Sequence, residues 1–408
     1  MNDVFVSIVA IITISFVLEQ VMQYLNGKSW SGKVPEKLQD LYNGEEYTKA
    51  QNYDFEKKKL SRIGSIVGFL ITMTFLFFGV FNKLYEWSGQ YTQDLIGHTL
   101  LFFGMYGFLM DILNTPLSLY SIFVIEEKYG FNRTTVKTFL LDKLKGYLLG
   151  GLIGGSLLGM FIVFYQVAGT NFWWIAWLSI SGFTLLLSMF YASIILPLFN
   201  KLTPLPEGEL RTALINYCNK VNFPVTDLFV MDGSKRSAKA NAFFSGLGPK
   251  KKIVLFDTLI EKHTVNELVA VMAHEVGHYK RKHTYKMTII SILHTGLMMF
   301  LLGQFINSPA LSLSLGSHSA VIALGMIGFF MLYSPVSILL SIVTNLLSRK
   351  HEYEADNFAK ETFGGIPLMN ALKKLSKDNL TNLTPHPAFV FMYYSHPTLL
   401  QRINNLEK

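Results

Sequence analysis

Apolar side chains fill seven stretches of the chain almost without a break: near Val4–Met22, Ile63–Phe81, Leu100–Ile125, Tyr147–Phe164, Phe172–Phe199, Met287–Phe305 and Ala320–Leu347. Most run close to the roughly 20 apolar residues that carry a helix across a bilayer. In lipid the backbone bonds of a single segment are satisfied only by a helix, so the pattern predicts seven transmembrane helices. The first run has no basic leader and no small-residue cleavage site, and is read as an anchor rather than a signal peptide.

Polar residues dominate two other regions. In residues 201–284, Pro204-Leu205-Pro206-Glu207-Gly208 reads as a linker and Glu209–Val221 as an amphipathic helix. Strands follow near Asp227–Asp232, Ala240–Gly246 and Lys252–Asp257. Thr264-x-x-Glu267 is a capping box that opens a further helix. No Pro or Gly stands between Gly277 and Gly296, so this helix is free to run on towards span six. Residues 348–408 read as helical with two turn-rich breaks. The expected fold is predominantly α, a seven-helix membrane bundle with a small α+β insert. The expected division is 1–200 (spans one to five), 201–284 (insert), 285–347 (spans six and seven) and 348–408 (helical C-terminal segment).

Charge orients this picture. With 50% hydrophobic and 16% charged residues, a net charge of +8 suggests nucleic acid until the basic residues are located. Lys28, Lys33, Lys37, Lys49, Lys57, Lys58, Lys59 and Arg62 lie between runs one and two. Lys128, Arg133, Lys137, Lys143 and Lys145 lie between runs three and four, and basic residues follow runs five and seven. The loops near Gly89–Thr99, Ala168–Asn171 and Asn307–Ser319 have none. The positive-inside rule places the N-terminus outside and the C-terminus in the cytoplasm, and nucleic acid is not expected as a partner. The lone cysteine, Cys218, excludes internal disulfides and a thiolate cage, and reads as a small apolar filler. Span three is interrupted by Asp111, Asn114, Thr115, Ser118 and Ser121. Small hydroxyls pack helices together, but a carboxylate at that depth needs protein or water to face. A wet cavity between the spans is expected.

Candidate chemistry gathers at His274-Glu275-Val276-Gly277-His278. Histidines at i and i+4 share a helix face and can converge on one metal ion, while the glutamate between them is better placed to take a proton from a water. The pattern also arises by chance, so its neighbours matter. Glu352 follows the last span closely, as His278 precedes span six, and is the candidate third ligand. Asp356, four residues on, could accept the spare N–H of a ligating histidine. Glu354 reads as part of a solvated acidic face.

With these residues in place the chain resembles the type I CAAX prenyl proteases. Besides the histidine motif and Glu352-x-x-x-Asp356, the likeness rests on Phe123-Val124-Ile125-Glu126-Glu127-Lys128-Tyr129-Gly130-Phe131-Asn132, Pro197-Leu198-Phe199, Thr203–Gly208, Gly233-Ser234-Lys235-Arg236-Ser237, Ile253–Leu259 and Ser395-His396-Pro397. The resemblance implies a protease holding one zinc ion per chain on His274, His278 and Glu352, with Glu275 as general base. It implies that Asn241, Ala242, Phe243 and Phe244 form an edge strand that pairs with a peptide. His396 would stabilise the oxyanion, with Arg402 close behind. It further implies a water-filled chamber among the spans, contact with membrane lipid, and protein or peptide substrates prenylated at a C-terminal CaaX cysteine. The chain is short for a eukaryotic member and ends without an ER-retrieval signal, so a bacterial homologue in the inner membrane is expected, with the endoplasmic reticulum as the alternative. Two other readings remain open: a membrane quality-control protease with no need of a prenyl group, and a transporter or receptor with a structural zinc. The last fits poorly, because structural sites close all four positions with protein ligands.

Overall fold

The computed structural model describes residues 2–224, 227–245 and 252–408. Seven helices are long and apolar enough to cross a membrane: Asp3–Lys28, Gly44–Phe77, Leu95–Glu126, Val136–Ala168, Phe172–Phe199, His283–Phe305 and Ile322–Thr362. Each contains or overlaps one of the expected runs, and several extend well past it. Span two begins in the polar loop, where Asn43 and Glu46 form a capping box. It stops before Gly79, whose φ of 61° turns the chain into a short helix, Val80–Ser88. That helix carries Lys83, a basic residue on the far side of span two that the narrower sequence boundaries left out of account.

Span seven differs most from expectation. It is one helix of 41 residues that passes the apolar run and continues through Glu352 and Asp356. The boundary expected at 347–348 therefore falls inside a continuous rod, because no Gly or Pro stands between Pro335 and Gly364 to end it. Conversely, the helix bearing His274 and His278, Val265–Lys280, does not run into span six. Lys282 takes a left-handed conformation (φ 58°) and span six starts afresh at His283.

Only 6–11% of the apolar windows of spans one to six is buried. Such low burial suits helices that face lipid, and a cavity of about 770 Å³ lies between spans one, two and seven, reaching Ser15, Glu19, Ser65 and Ser334. Asp111 is neutralised across spans three and four, 2.5 Å from the Lys143 ammonium and bonded to the Tyr147 hydroxyl. An ion pair of this kind is what makes a carboxylate tolerable at that depth.

The insert builds a four-stranded sheet in the order β1-β2-β4-β3, with β1 Leu202–Pro204, β2 Asp227–Met231, β3 Ala242–Ser245 and β4 Lys252–Phe256. β2 and β4 are parallel, while the β1–β2 and β3–β4 pairs are antiparallel. β1 is not among the expected strands, because it is three residues long and ends in Pro204, which suits a sheet edge. Leu214, Cys218, Ile253, Leu255, Leu259, Leu268 and Ala273 pack the core between sheet and helices.

The insert is lashed to the membrane half just ahead of β3. Ser237 bridges to Asn132. Arg236 forks onto Asp142 at 2.7 and 2.8 Å, and Lys239 meets Glu126 at 2.8 Å and the Tyr53 hydroxyl at 2.6 Å. Cysteines introduced at the exposed positions Lys59 and Gln90, which flank the apolar run of span two, are expected to react with an impermeant maleimide from opposite faces of the membrane. Native Cys218 gives no background, since it is buried and burial pushes its thiol up to about 11. Labelling of both introduced sites from one face would contradict the span assignment.

Candidate active site

The Val265–Lys280 helix is fixed at its start by the Thr264–Glu267 capping box, Glu267 accepting from the Thr264 N–H at 2.8 Å. Its apolar face, Leu268, Val269, Met272, Ala273 and Val276, is buried in the insert core. That leaves His274 and His278 together on another side, ring centroids 4.7 Å apart. Gly277 faces the span-seven helix, where a Cβ would come within 3.0 Å of the Ala355 Cα and 3.1 Å of its carbonyl oxygen. Backbones this close bring Glu352, on that second helix, up to both imidazoles.

Three donor atoms converge there. The Nε2 atoms of His274 and His278 lie 3.1 Å apart. Glu352 brings Oε2 to 3.5 Å from the first and Oε1 to 3.4 Å from the second. A tetrahedral ion with bonds of about 2.1 Å holds its ligand atoms about 3.4 Å apart, so contacts of this size leave room for one ion between the two imidazoles and the carboxylate. Glu352 Oε2 is buried and accepts no hydrogen bond. Buried carboxylate oxygens are normally bonded, and one left open beside two imidazole nitrogens fits a site for a metal ion. Among the described residues this is the one His/Cys/Asp/Glu group with that convergence.

The groups behind the donors set their orientation. Asp356, fully buried, lies 2.9 Å from His274 Nδ1. With the proton placed on Nδ1, that bond leaves the Nε2 lone pair free for an ion. Arg402 grips Asp356 through Nε at 2.9 Å and Nη2 at 2.5 Å, and its Nη1 lies 3.6 Å from Glu352. Burial would lower the Arg402 pKa, but the charges of Asp356 and Glu352 raise it above the usual value. Burial and the Arg402 charge also push His274 down, yet its hydrogen bond to Asp356 and the nearby Glu352 carboxylate more than offset them and lift it to about 9.

Behind His278 stands a group the sequence reading passed over. His278 Nδ1 lies 3.0 Å from His283 Nδ1, and His283 Nε2 donates to Glu354 at 2.9 Å. Glu354 is therefore no idle member of a solvated face. Nothing in the local sequence pattern signals this contact, which depends on the left-handed turn at Lys282.

A cavity of about 300 Å³ opens onto the three donors. Glu275, His396, Arg402, Asn241 and Ala242 all line it, and Leu259, Val271, Leu368, Leu372 and Leu375 supply apolar wall. His396 is largely exposed, with Nε2 3.4 Å from Glu352. Asn241 precedes β3 and its side-chain oxygen accepts from the Ala242 N–H at 2.9 Å. Phe243 points the other way, into the cluster of Met231 and Val254 under the sheet. Phe244 is in β3 opposite Ile253. β3 is an edge strand among the described residues, with only β4 beside it.

Comparison with known proteins gives the family. Residues 5–201 match the family model described as "CAAX prenyl protease N-terminal, five membrane helices", and residues 204–408 match "Peptidase family M48". The chain is similar to CAAX prenyl protease 1 of Saccharomyces cerevisiae, 33% identical over 92% of this chain and 88% of that one. It is 36% identical to a homolog from Oryza sativa over 92% and 90% of the two chains, and 32% identical to one from Homo sapiens over 92% and 88%. The crystal structure of S. mikatae Ste24p superposes with a TM-score of 0.93 at 32% identity, covering 100% of this chain and 99% of that one. A peptidase match over the whole insert and C-terminal segment sets aside the transporter or receptor reading.

Two predictions follow from the packing and the charges. Gly277→Ala forces the two helices apart, and is expected to weaken metal binding about 10–100-fold while destabilising the fold by about 1–3 kcal/mol. Chelator competition and thermal unfolding measure the two effects, and unchanged metal affinity would show that the close approach is not needed. Raised to about 9, His274 in the demetallated protein holds a proton at pH 7 that an incoming ion must displace. Apparent affinity should therefore climb about tenfold per pH unit from 7 towards 9 and then level. In linkage terms, the raised value stabilises the demetallated fold fully below the ordinary imidazole value of 6.5, and that contribution fades as pH passes 9. A flat affinity profile would contradict this assignment.

Proposed function

We propose that this chain, which belongs to peptidase family M48 and carries the CAAX prenyl protease N-terminal region ahead of it, is a zinc endopeptidase that trims prenylated proteins at their C-terminal CaaX motif. Family membership makes it a metallopeptidase acting on peptide or protein substrates, and its seven apolar helices make it a multi-pass membrane protein. The observation that carries the proposal is the convergence of His274, His278 and the unbonded Glu352 oxygen on one point, with Glu275 and an edge strand around the same cavity.

Two imidazoles and one carboxylate are a usual donor set for catalytic zinc, which keeps one position open. His274, His278 and Glu352 would hold one such ion. When bound, zinc supplies a Lewis acid for the peptide carbonyl and lowers the pKa of the attacking water to about 7. Glu275 takes the proton from that water and passes it to the leaving amine. A substrate lies as an added strand along the free edge of β3, its backbone held by Asn241 and Ala242, with the Phe243–Phe244 stretch continuing the strand. His396 donates to the oxygen that gains charge in the transition state. Asp356 keeps His274 in the ligating tautomer, and Arg402 fixes Asp356 while balancing its charge.

The basic loops favour an N-terminus outside and a site on the cytoplasmic side, and Lys83, the basic residue on the opposite side, does not reverse that balance. Lipid-anchored substrates suit a site at the inner edge of the membrane, and the open space among the spans gives their prenyl chains a route past water. The relatives named above are eukaryotic, which favours the endoplasmic reticulum over a bacterial membrane.

Cleavage of a farnesylated peptide ending in a CaaX motif, beside the same peptide unmodified, tests the reading. The wild type is expected to bind about one zinc per chain and to prefer the prenylated peptide. Equal rates on both would support a quality-control protease instead. Glu275→Gln keeps shape and zinc but loses the base, so turnover should fall by at least about 10²–10⁴-fold. His396→Ala should lower kcat more than it raises KM, because its hydrogen bond forms mainly in the transition state. Wild-type turnover by Glu275→Gln, with contaminating protease excluded, would overturn the mechanism.

A further inference from the structure

His274 has a buried carboxylate behind it, but His278 does not. Its outward nitrogen meets another imidazole instead, with His278 Nδ1 3.0 Å from His283 Nδ1. His283 is 3% exposed, and its far nitrogen donates to Glu354 at 2.9 Å. Its ring lies flat on that of His351, centroids 4.0 Å apart and planes 12° from parallel. One ring is thus held on its edge by a carboxylate and on its face by a second ring, and it points one nitrogen at a candidate ligand.

The backbone is shaped to allow this. In an unbroken helix His283 would sit about 140° round the axis from His278, five residues earlier, out of reach of its side chain. The left-handed residue Lys282 ends one helix and starts the next, which folds His283 back beneath His278. Residues other than glycine adopt such a conformation rarely and at a cost, so its presence between two helices calls for a reason.

Proton bookkeeping gives the group one consistent arrangement. If Nε2 of His278 faces the ion, its Nδ1 carries the hydrogen. His283 Nδ1 must then be the acceptor, so its proton sits on Nε2, the nitrogen that donates to Glu354. Every donor has an acceptor in this arrangement, and the chain runs from His278 through His283 to a carboxylate. A ligating histidine normally donates to a carboxylate or carbonyl directly, and here the carboxylate acts one ring removed.

We propose that His283 is a positioning residue for metal binding, which fixes the tautomer and ring plane of His278 and is itself set by Glu354 and His351. This deepens the metal-site reading and depends on it. Because His283 begins span six and Glu354 belongs to the span-seven helix, the second histidine ligand is tied to the packing of both spans at the membrane's edge.

The test reads zinc affinity of demetallated full-length protein in detergent by competition with a chromophoric chelator, without any peptide. His283→Phe keeps an aromatic ring to stack on His351 but removes the acceptor, and should weaken zinc binding about 10–100-fold. His283→Asn offers a carboxamide oxygen near the place of Nδ1, and should restore affinity to within about threefold of wild type. Glu354→Ala should produce a smaller loss in the same direction. Cobalt substituted for zinc gives an independent view: its visible spectrum should shift in His283→Phe and match wild type in His283→Asn. Wild-type affinity in His283→Phe would overturn the proposal. So would equal losses in the Phe and Asn variants, since a packing role alone predicts no rescue. Failure of the wild type itself to bind zinc would instead overturn the metal-site reading beneath it.

Discussion

The site depends on one close approach, that of the helix bearing His274 and His278 to the helix bearing Glu352. Gly277 meets Ala355 with no room for a side chain between them, a Cβ there lying 3.0 Å from the Ala355 Cα. Two donors come from one helix and the third from another far along the sequence, so their separation is set by how near the backbones lie. A carboxylate reaches only so far. Other features near the site hold that register. The capping box fixes where the first helix starts, and the core around Leu268 and Ala273 fixes its rotation. The unbroken 41-residue rod carries Glu352 at a fixed height above span seven.

A second constraint joins the insert to the membrane half. Several motifs scattered through the sequence prove to touch one another. The loop after span three, through Glu126 and Asn132, meets the segment from Arg236 to Lys239, which leads directly into β3. The Arg236 fork on Asp142 and the paired Lys239 lie half-buried beside apolar rings, including Phe131 under the Lys239 ammonium at 4.5 Å. Breaking such a pair leaves a charge poorly solvated, so each partner constrains the other. The edge strand is thereby positioned by the membrane domain as much as by its own sheet. This gives a physical reason why the likeness to known proteases extends along the whole chain.

Much of this was legible from residue types and spacing, and what was not has identifiable causes. Seven spans announce themselves because lipid demands long apolar runs, and the His274–His278 pair because a helix repeats at that interval. Glu352 and Asp356 could be paired with them from depth in the membrane alone. The contact of His278 with His283 could not, since it turns on one left-handed lysine in a segment whose composition allowed an unbroken helix. Glu354 reads from sequence as a surface residue for the same reason, its partner His283 lying across that turn. The bidentate grip of Arg402 on Asp356 joins residues 46 apart by tertiary packing, and no local pattern encodes it.

The chain's awkwardly placed acidic groups separate structure from chemistry. Asp111, in span three, has Lys143, Tyr147 and Thr115 around it and is satisfied where it stands. Asp356 has the Arg402 fork and His274. Both are complete arrangements, and a complete arrangement needs nothing from outside. Glu352 differs. It is nearly as buried as Asp356, within a few ångströms of two imidazoles and a guanidinium, yet one of its oxygens accepts no hydrogen bond. Leaving such an atom open costs roughly 1–3 kcal/mol or more for a charged group. A buried carboxylate oxygen left unbonded, on a group that faces two imidazoles, sets this cluster apart from a closed salt bridge.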